Sequence, residues 1–246
     1  MNPIILIPAR MAATRLPGKP LAEIGGAPMI VHVARAAMAA NLGRVAVAAG
    51  DQAIAEAVRA AGGEAVLTDP ELASGSDRVL AALRVLDPAG AHDVIVNLQG
   101  DMPFFDPAAL RCVFDRLAGR QHADVATPIA PEASPTDRTN PDVVKAVVAL
   151  EADGRGGRAL YFTRSILYGE GPVWRHVGIY AWRRAALEAF TAAPPSALER
   201  REKLEQLRAL ELGLRIEASV MEAAPLSVDN PGDLAVARAY AKEHGL

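Results

Sequence analysis

Ile4-Ile5-Leu6-Ile7, followed at once by Pro8-Ala9-Arg10, is the stretch that decides the fold. An apolar run without polar alternation marks a strand buried on both faces, as in parallel sheets covered by helices on each side. Similar runs recur at 44–48, 64–67 and 93–98, and helical periodicity fills the intervals at 29–40, 52–61 and 76–86. The first half therefore reads as a doubly wound α/β unit. After a helix at 107–117 the pattern changes. Strand candidates at 124–129, 143–150, 158–168 and 176–182 follow one another without a strong helix between them, and Gly154-Arg155-Gly156-Gly157 reads as a hairpin turn. Such a series predicts an antiparallel extension of the sheet. Helices at 183–192 and 198–212, a strand at 215–221 and a last helix at 231–244 close the chain.

Composition narrows the function. The 246 residues carry a net charge of 26 − 29 = −3, which argues against a dedicated nucleic-acid binder with a basic phosphate-gripping face. Cys112 is the only cysteine, so no disulfide forms within the chain. No apolar run reaches the ~18 residues that a membrane helix needs. The opening segment has too short an apolar core, and no basic region before it, for a signal peptide. A cytoplasmic protein with no nucleic-acid or membrane partner is expected.

In an open parallel sheet, ligands bind beyond the carboxyl ends of the strands. The loop after the first strand runs from Pro8 to Pro20 and carries Arg10, Arg15 and Lys19, with Gly18 as the point where backbone can approach a ligand. Arginine grips phosphate or carboxylate through paired hydrogen bonds, and lysine acts as a compact charge. A solvated basic loop is the plain alternative. The loop is neither a P-loop, since Ala13 and Pro20 replace the required Gly and Ser/Thr, nor a G-x-G-x-x-G fingerprint. A second loop, Ala73-Ser74-Gly75-Ser76-Asp77-Arg78, opens a helix whose capping alone would explain its serines. The third, Asn97-Leu98-Gln99-Gly100-Asp101-Met102-Pro103, puts a carboxylate at the sheet edge, where Mg²⁺ is typically held by one or two carboxylates plus substrate phosphates. Asp229 is a second candidate carboxylate or, alternatively, the N-cap of the last helix. Zinc spacings, H-E-x-x-H and a G-x-S-x-G elbow are absent.

These segments together resemble the 3-deoxy-manno-octulosonate cytidylyltransferase (CMP-KDO synthetase) family. The matching residues are Ile7-Pro8-Ala9-Arg10, Thr14-Arg15-Leu16-Pro17-Gly18-Lys19-Pro20, Ser74-Gly75-Ser76-Asp77-Arg78 and Gln99-Gly100-Asp101. They continue through Asn140-Pro141, Ala159-Leu160-Tyr161-Phe162 with Arg164, His176-Val177-Gly178-Ile179-Tyr180, Leu204-Glu205-Gln206-Leu207-Arg208 and Val228-Asp229. The order is kept along essentially the whole chain. Three departures stand out: Ala13 where the family often has Ser, Met102 where it usually has Glu, and a shorter stretch at 165–175.

The resemblance implies an α/β, Rossmann-like nucleotidyltransferase fold, with a mostly parallel central sheet flanked by helices and an antiparallel strand-rich extension. It implies one domain over 1–246, in which 124–182 is a sub-lobe contributing to the acceptor site and to a homodimer interface. The implied reaction couples CTP to the acid sugar KDO, releasing pyrophosphate, for lipopolysaccharide synthesis. Arg10, Lys19 and Asp101 would be catalytic. Pro8, Ala9, Arg10, Lys19, Ser74, Arg78 and Gln99 would hold the nucleotide. Arg15, Arg164, His176, Tyr180, Glu205 and Gln206 would face the sugar, and Asp101 and Asp229 would ligate Mg²⁺. The rival readings are a cytidylyltransferase for a related acid sugar, such as 8-amino-KDO or a sialic acid, and a non-catalytic nucleotide-binding regulator. A regulator would be favoured by loss of Asp101 or Lys19, and both are present.

Overall fold

The computed structural model describes residues 1–12, 15–167 and 169–246; Ala13 and Thr14 of the first loop, and Tyr168 of the 158–168 strand candidate, lie outside the described residues. The chain divides into two compact units, Met1–Leu110 with Pro225–Leu246, and Arg111–Ala224. The second unit is wider than the strand-rich stretch 124–182 read from the sequence, because it includes helices on both sides of that stretch.

The first unit opens with β1 (Pro3–Ala9). A 3₁₀ turn at Lys19–Leu21 and a hairpin of β2 (Glu23–Ile24) and β3 (Ala27–Pro28) lead into α1 (Met29–Ala39), β4 (Arg44–Ala49), α2 (Gln52–Ala60), β5 (Ala65–Leu67), α3 (Gly75–Leu86) and β6 (Val94–Leu98). The strands pair in parallel in the order β6-β1-β4-β5, with Ile4 beside Arg44 on one side and Ile95 on the other. Ile4, Ile5, Leu6 and Ile7 are all fully buried, so both faces of β1 are covered, as its unalternating sequence requires. Parallel pairing sends the loops after β1, β4, β5 and β6 to one edge of the sheet. The β2–β3 hairpin was not legible in advance, since two-residue strands carry too little periodicity.

The second unit contains most of α4 (Ala108–Ala118), then β7 (Val125–Pro131), β8 (Lys145–Leu150), β9 (Gly156–Thr163), β10 (Trp174–His176), β11 (Ile179–Arg183), α5 (Arg184–Ala192), α6 (Ala197–Glu202), α7 (Gln206–Glu211) and β12 (Ile216–Val220). Its strands run in the order β10-β8-β9-β12-β7-β11, and β10 also pairs with β7. The strands β10, β8, β9, β12 and β7 thus close into a ring. The pairings among the strands of 124–182 are antiparallel, as read from sequence; β12, which follows later in the chain, pairs in parallel with β7 and antiparallel with β9.

Three further elements differ from expectation. The 176–182 strand is two strands, broken at Val177-Gly178, where the Ile179 N–H donates back to the Val177 carbonyl at 2.7 Å. The 198–212 helix is likewise broken, because Lys203 takes the left-handed conformation (φ 56°) after Glu202 has turned its carboxylate to Thr163 Oγ1 and the Arg164 N–H. The glycine turn keeps only Gly154 in a left-handed turn conformation, and Gly156 and Gly157 already belong to β9.

The chain then returns to the first unit and ends in α8 (Pro231–His244). Leu234, Ala237 and Ala241 of α8 pack with Val228, Ile24 and Met29 in a buried cluster. No helix among the described residues is long and apolar enough to cross a membrane.

Candidate active site

Gly18 begins the site. Its φ of 69° lies in the left-handed region, which glycine enters without the Cβ penalty, and this turn starts the 3₁₀ segment with Lys19 at its head. The Lys19 ammonium donates to Asp101 Oδ2 at 2.9 Å and to Asp229 Oδ1 at 3.2 Å. Arg15 reaches the same Asp229 oxygen at 3.2 Å.

Asp101 follows β6, and its carbonyl accepts from the Val228 N–H at 2.9 Å, which ties the loop after β6 to the segment before α8. The ambiguity over Asp229 is resolved by its neighbour. Asn230 caps α8 and Asp233 bonds back to the Asp229 and Asn230 N–H groups, so the carboxylate of Asp229 is left to the cavity.

That cavity, of about 330 Å³, lies in the first unit at the carboxyl edge of its sheet. Every residue assigned to the nucleotide lines it: Pro8, Ala9, Arg10, Lys19, Ser74, Arg78 and Gln99. Arg15, Asp101 and Asp229 line it as well. Met102, by contrast, is 3% exposed and packs into the core.

Two of these residues also serve the scaffold. Ser74 caps α3, accepting from the Asp77 N–H and donating to its carboxylate. Arg78 is 2% exposed, and its guanidinium donates to Thr68 Oγ1 and to the carbonyls of Asp69 and Pro70, which holds the loop after β5 in place. Burial, followed by the charge of Arg10, lowers the Arg78 pKa from its ordinary 12.5. The backbone of Gly50 lies so close that a Cβ there would stand 2.7 Å from Arg78 Nη1.

The donor set suits Mg²⁺ in one mode only. No cluster of three or more His, Cys, Asp or Glu is present among the described residues. Asp101 and Asp229 are a pair of oxygen donors beside cations, which fits an ion whose remaining positions are filled by water and substrate phosphates.

A family model described as cytidylyltransferase matches residues 4–216. A 3-deoxy-manno-octulosonate cytidylyltransferase of Parvibaculum lavamentivorans is 57% identical over 239 residues, covering 97% of this chain and 92% of that relative. Another from Paramagnetospirillum magneticum is 54% identical, covering 98% of each chain. This chain belongs to that family. The solved structure of CMP:2-keto-3-deoxy-manno-octonic acid synthetase complexed with CTP superposes with a TM-score of 0.89 at 35% identity, covering 99% of this chain and 100% of that one. A 4-diphosphocytidyl-2C-methyl-D-erythritol synthase of Anaerococcus prevotii, 12% identical with a TM-score of 0.66, covers 98% of this chain and 99% of its own, and shares the fold. The chain is thus a nucleotidyltransferase with a mixed α/β fold.

The residues expected to face the sugar, other than Arg15, fall in the second unit. His176 and Tyr180 have ring centroids 5.3 Å apart, and Phe162 meets the His176 ring edge-on at 5.0 Å. Burial pushes the His176 pKa down to about 3, so the ring is neutral at ordinary pH. Burial, then the charge of Glu205, raises the Tyr180 pKa, so its phenol stays protonated. Glu205 precedes α7 without a side-chain capping bond, and Gln206 begins the helix, 6% exposed. A simple Glu205–Arg208 pair does not account for this helix: Arg208 donates to both carboxylate oxygens of Glu199 at 2.7 and 2.6 Å, and Glu205 lies 3.9 Å away. The Arg164 guanidinium donates to the Pro141 carbonyl.

Sequence reasoning missed Lys145. It is fully buried in β8 and donates to the carbonyls of Asn140 and Arg164 at 2.7 and 2.9 Å. Burial, followed by the charge of Arg164, lowers its pKa from 10.5. A lysine at the start of a strand looks solvent-facing in sequence, and only its proximity to Asn140-Pro141 hinted otherwise.

Proposed function

We propose that this protein transfers the cytidylyl group of CTP to KDO, forming CMP-KDO and releasing pyrophosphate, as a step toward lipopolysaccharide. The observation that carries this reading is the Lys19 ammonium, placed between Asp101 and Asp229 in a cavity built from the loops after β1, β5 and β6.

The anomeric hydroxyl of the sugar attacks the α-phosphorus of CTP, and pyrophosphate leaves in line. Such transfer asks little covalent chemistry of the protein, and positioning with charge neutralisation dominates. Arg10 and Lys19 neutralise the β- and γ-phosphates. Pro8, Ala9, Ser74, Arg78 and Gln99 hold the nucleotide. Asp101 and Asp229 would hold Mg²⁺, which when bound neutralises phosphate charge and polarises the oxygens it contacts.

On the sugar side, Arg164 presents a planar fork suited to a carboxylate, and Arg15, His176, Tyr180, Glu205 and Gln206 supply charge and hydrogen bonds. The parallel order β6-β1-β4-β5 supports a Rossmann-like reading of the fold, with the whole of 1–246 acting as one catalytic domain. A cytoplasmic enzyme would meet CTP directly. A homodimer formed through the 124–182 region is supported by Leu150 and Leu160, apolar and 38% and 51% exposed on adjoining strands. Light scattering should then return twice the mass of a 25.9 kDa chain, and a monomer would refute it.

The test is product identity. Incubation with CTP, Mg²⁺ and KDO should give a phosphodiester of the mass of CMP-KDO. Parallel incubations with 8-amino-KDO and a sialic acid should give less product, and a preference for either would replace the acceptor while leaving cytidylyl transfer in place.

A further inference from the structure

Thr127 sits in β7 with no exposed surface, where β7 changes partner from β11 to β10. Its Oγ1 lies 2.8 Å from the Ile179 carbonyl, 3.2 Å from the Val177 carbonyl and 3.0 Å from His176 Nε2. A hydroxyl has one proton to give and lone pairs to receive, whereas carbonyl oxygens only accept. If the proton went to His176, two carbonyl oxygens would face bare lone pairs on the hydroxyl. The proton therefore goes to a carbonyl, Ile179 being the nearer. The remaining contact is favourable only if the imidazole donates its Nε2–H to Thr127.

We propose that Thr127 is a positioning residue that fixes His176 as the neutral Nε2–H tautomer, turning Nδ1 into an acceptor for a hydroxyl of the sugar. The inference rests on the reading above in which His176 faces that sugar. The two nitrogens of a neutral imidazole have opposite roles, and the hydrogen bond made by one decides the role of the other. No described residue makes a hydrogen bond to Nδ1. The ring is kept in place by the edge contact with Phe162 and by Tyr180. Desolvation resists protonation, which would make both nitrogens donors.

The same hydroxyl secures the break between β10 and β11, since both carbonyls it faces flank Gly178. The local geometry that offsets His176 from Tyr180 is thus joined to the choice of tautomer. The consequence is a rule of specificity. A lone pair at Nδ1 accepts O–H or N–H and repels carboxylate or phosphate oxygen. The acid sugar must therefore be oriented with a hydroxyl, not its carboxylate, at His176. A site built to bond a hydroxyl discriminates strongly against the analogue that lacks it.

The experiment is a long-range ¹H–¹⁵N correlation on the full chain with labelled histidine, at neutral pH. Wild type should show a protonated Nε2 and a bare Nδ1 for His176. Thr127→Val, which keeps the shape and removes the hydroxyl, should lose that pattern and raise the KM for KDO about tenfold or more, with the KM for CTP within about twofold. Thr127→Ser should restore both. A wild-type ring protonated on Nδ1 overturns the proposal even if the valine variant does not fold. So does a valine variant with the wild-type pattern and an unchanged KM for KDO. If the tautomer is as stated but His176→Gln leaves the KM for KDO unchanged, the reading of His176 as sugar-facing fails, and with it the hydroxyl assignment at Nδ1.

Discussion

The Lys19 ammonium lies 2.9 Å from Asp101 Oδ2, and with Asp229 Oδ1 at 3.2 Å it bridges two carboxylates that start from loops more than a hundred residues apart in sequence. The lysine neutralises a pair that would otherwise repel, and the proposed reaction has it meet the triphosphate charge. Lys19→Met should lower kcat by about 10²–10³, as loss of a preorganised charge stabiliser commonly does. Circular dichroism should show the fold retained. Near wild-type turnover in Lys19→Met would remove it from the chemistry.

Asp101→Asn and Asp229→Asn keep the side-chain shape while removing charge. Each should raise the Mg²⁺ concentration needed for half-maximal rate and slow turnover, with little change in melting temperature. Full activity in Asp101→Asn would remove it from the metal pair.

Much of this site was legible because its residues sit in loops that directly follow strands. Arg10 and Asp101 come directly after strand ends and Lys19 lies further along the loop that follows β1, and a parallel sheet sends all those ends to one edge. The strands β1, β4 and β6 were readable for the same reason: residues such as Ile4–Ile7 are apolar on both faces, and no other placement buries them. The second unit was harder. A parallel β12–β7 pair, a strand broken at Gly178 and a helix broken at Lys203 all involve hydrogen bonds with residues distant in sequence, Thr127 for the strand and Thr163 and Arg164 for the helix. Lys145 could not be assigned either, because nothing local distinguishes a lysine held by two carbonyls from one in solvent.

Gly50 tests whether the setting of Arg78 matters for the nucleotide. A Cβ at this position would meet Arg78 Nη1 at 2.7 Å, Cζ at 3.0 Å and Nη2 at 3.2 Å, so Gly50→Ala must displace the guanidinium from Thr68 and the loop after β5. The KM for CTP should rise several-fold while that for KDO stays close to wild type. An unchanged KM for CTP would show that the loop tolerates the shift.

Arg164→Ala should act in the opposite direction, raising the KM for KDO far more than that for CTP. Among the described residues the guanidinium donates to the Pro141 carbonyl, which lies outside the β8–β9 ladder, so its removal should leave that pairing intact. Equal loss for both substrates would mark Arg164 as structural.

Acid should destabilise the protein in two stages. Folding depresses the His176 pKa from 6.5 to about 3, so between these values the unfolded chain binds a proton that the folded chain does not. Stability is full above about pH 6.5 and falls as pH drops toward 3. Glu151, held down to about 2 by Arg116 and then Arg120, adds to the loss only below about pH 4.5. The melting temperature should therefore decline between about pH 6.5 and about pH 5 in wild type and be flatter in His176→Gln. A wild-type melting temperature that is level across this window would show that the ring is not desolvated as described.

The cavity holding Lys19, Asp101 and Asp229 is proposed to activate an acid sugar with CTP. Pyrophosphate release in a mixture of protein, CTP, Mg²⁺ and KDO tests it most directly. Release should require all three additions and be largely abolished in Asp101→Asn. Release that proceeds without KDO, or no release from the complete mixture with well-folded protein, would contradict it.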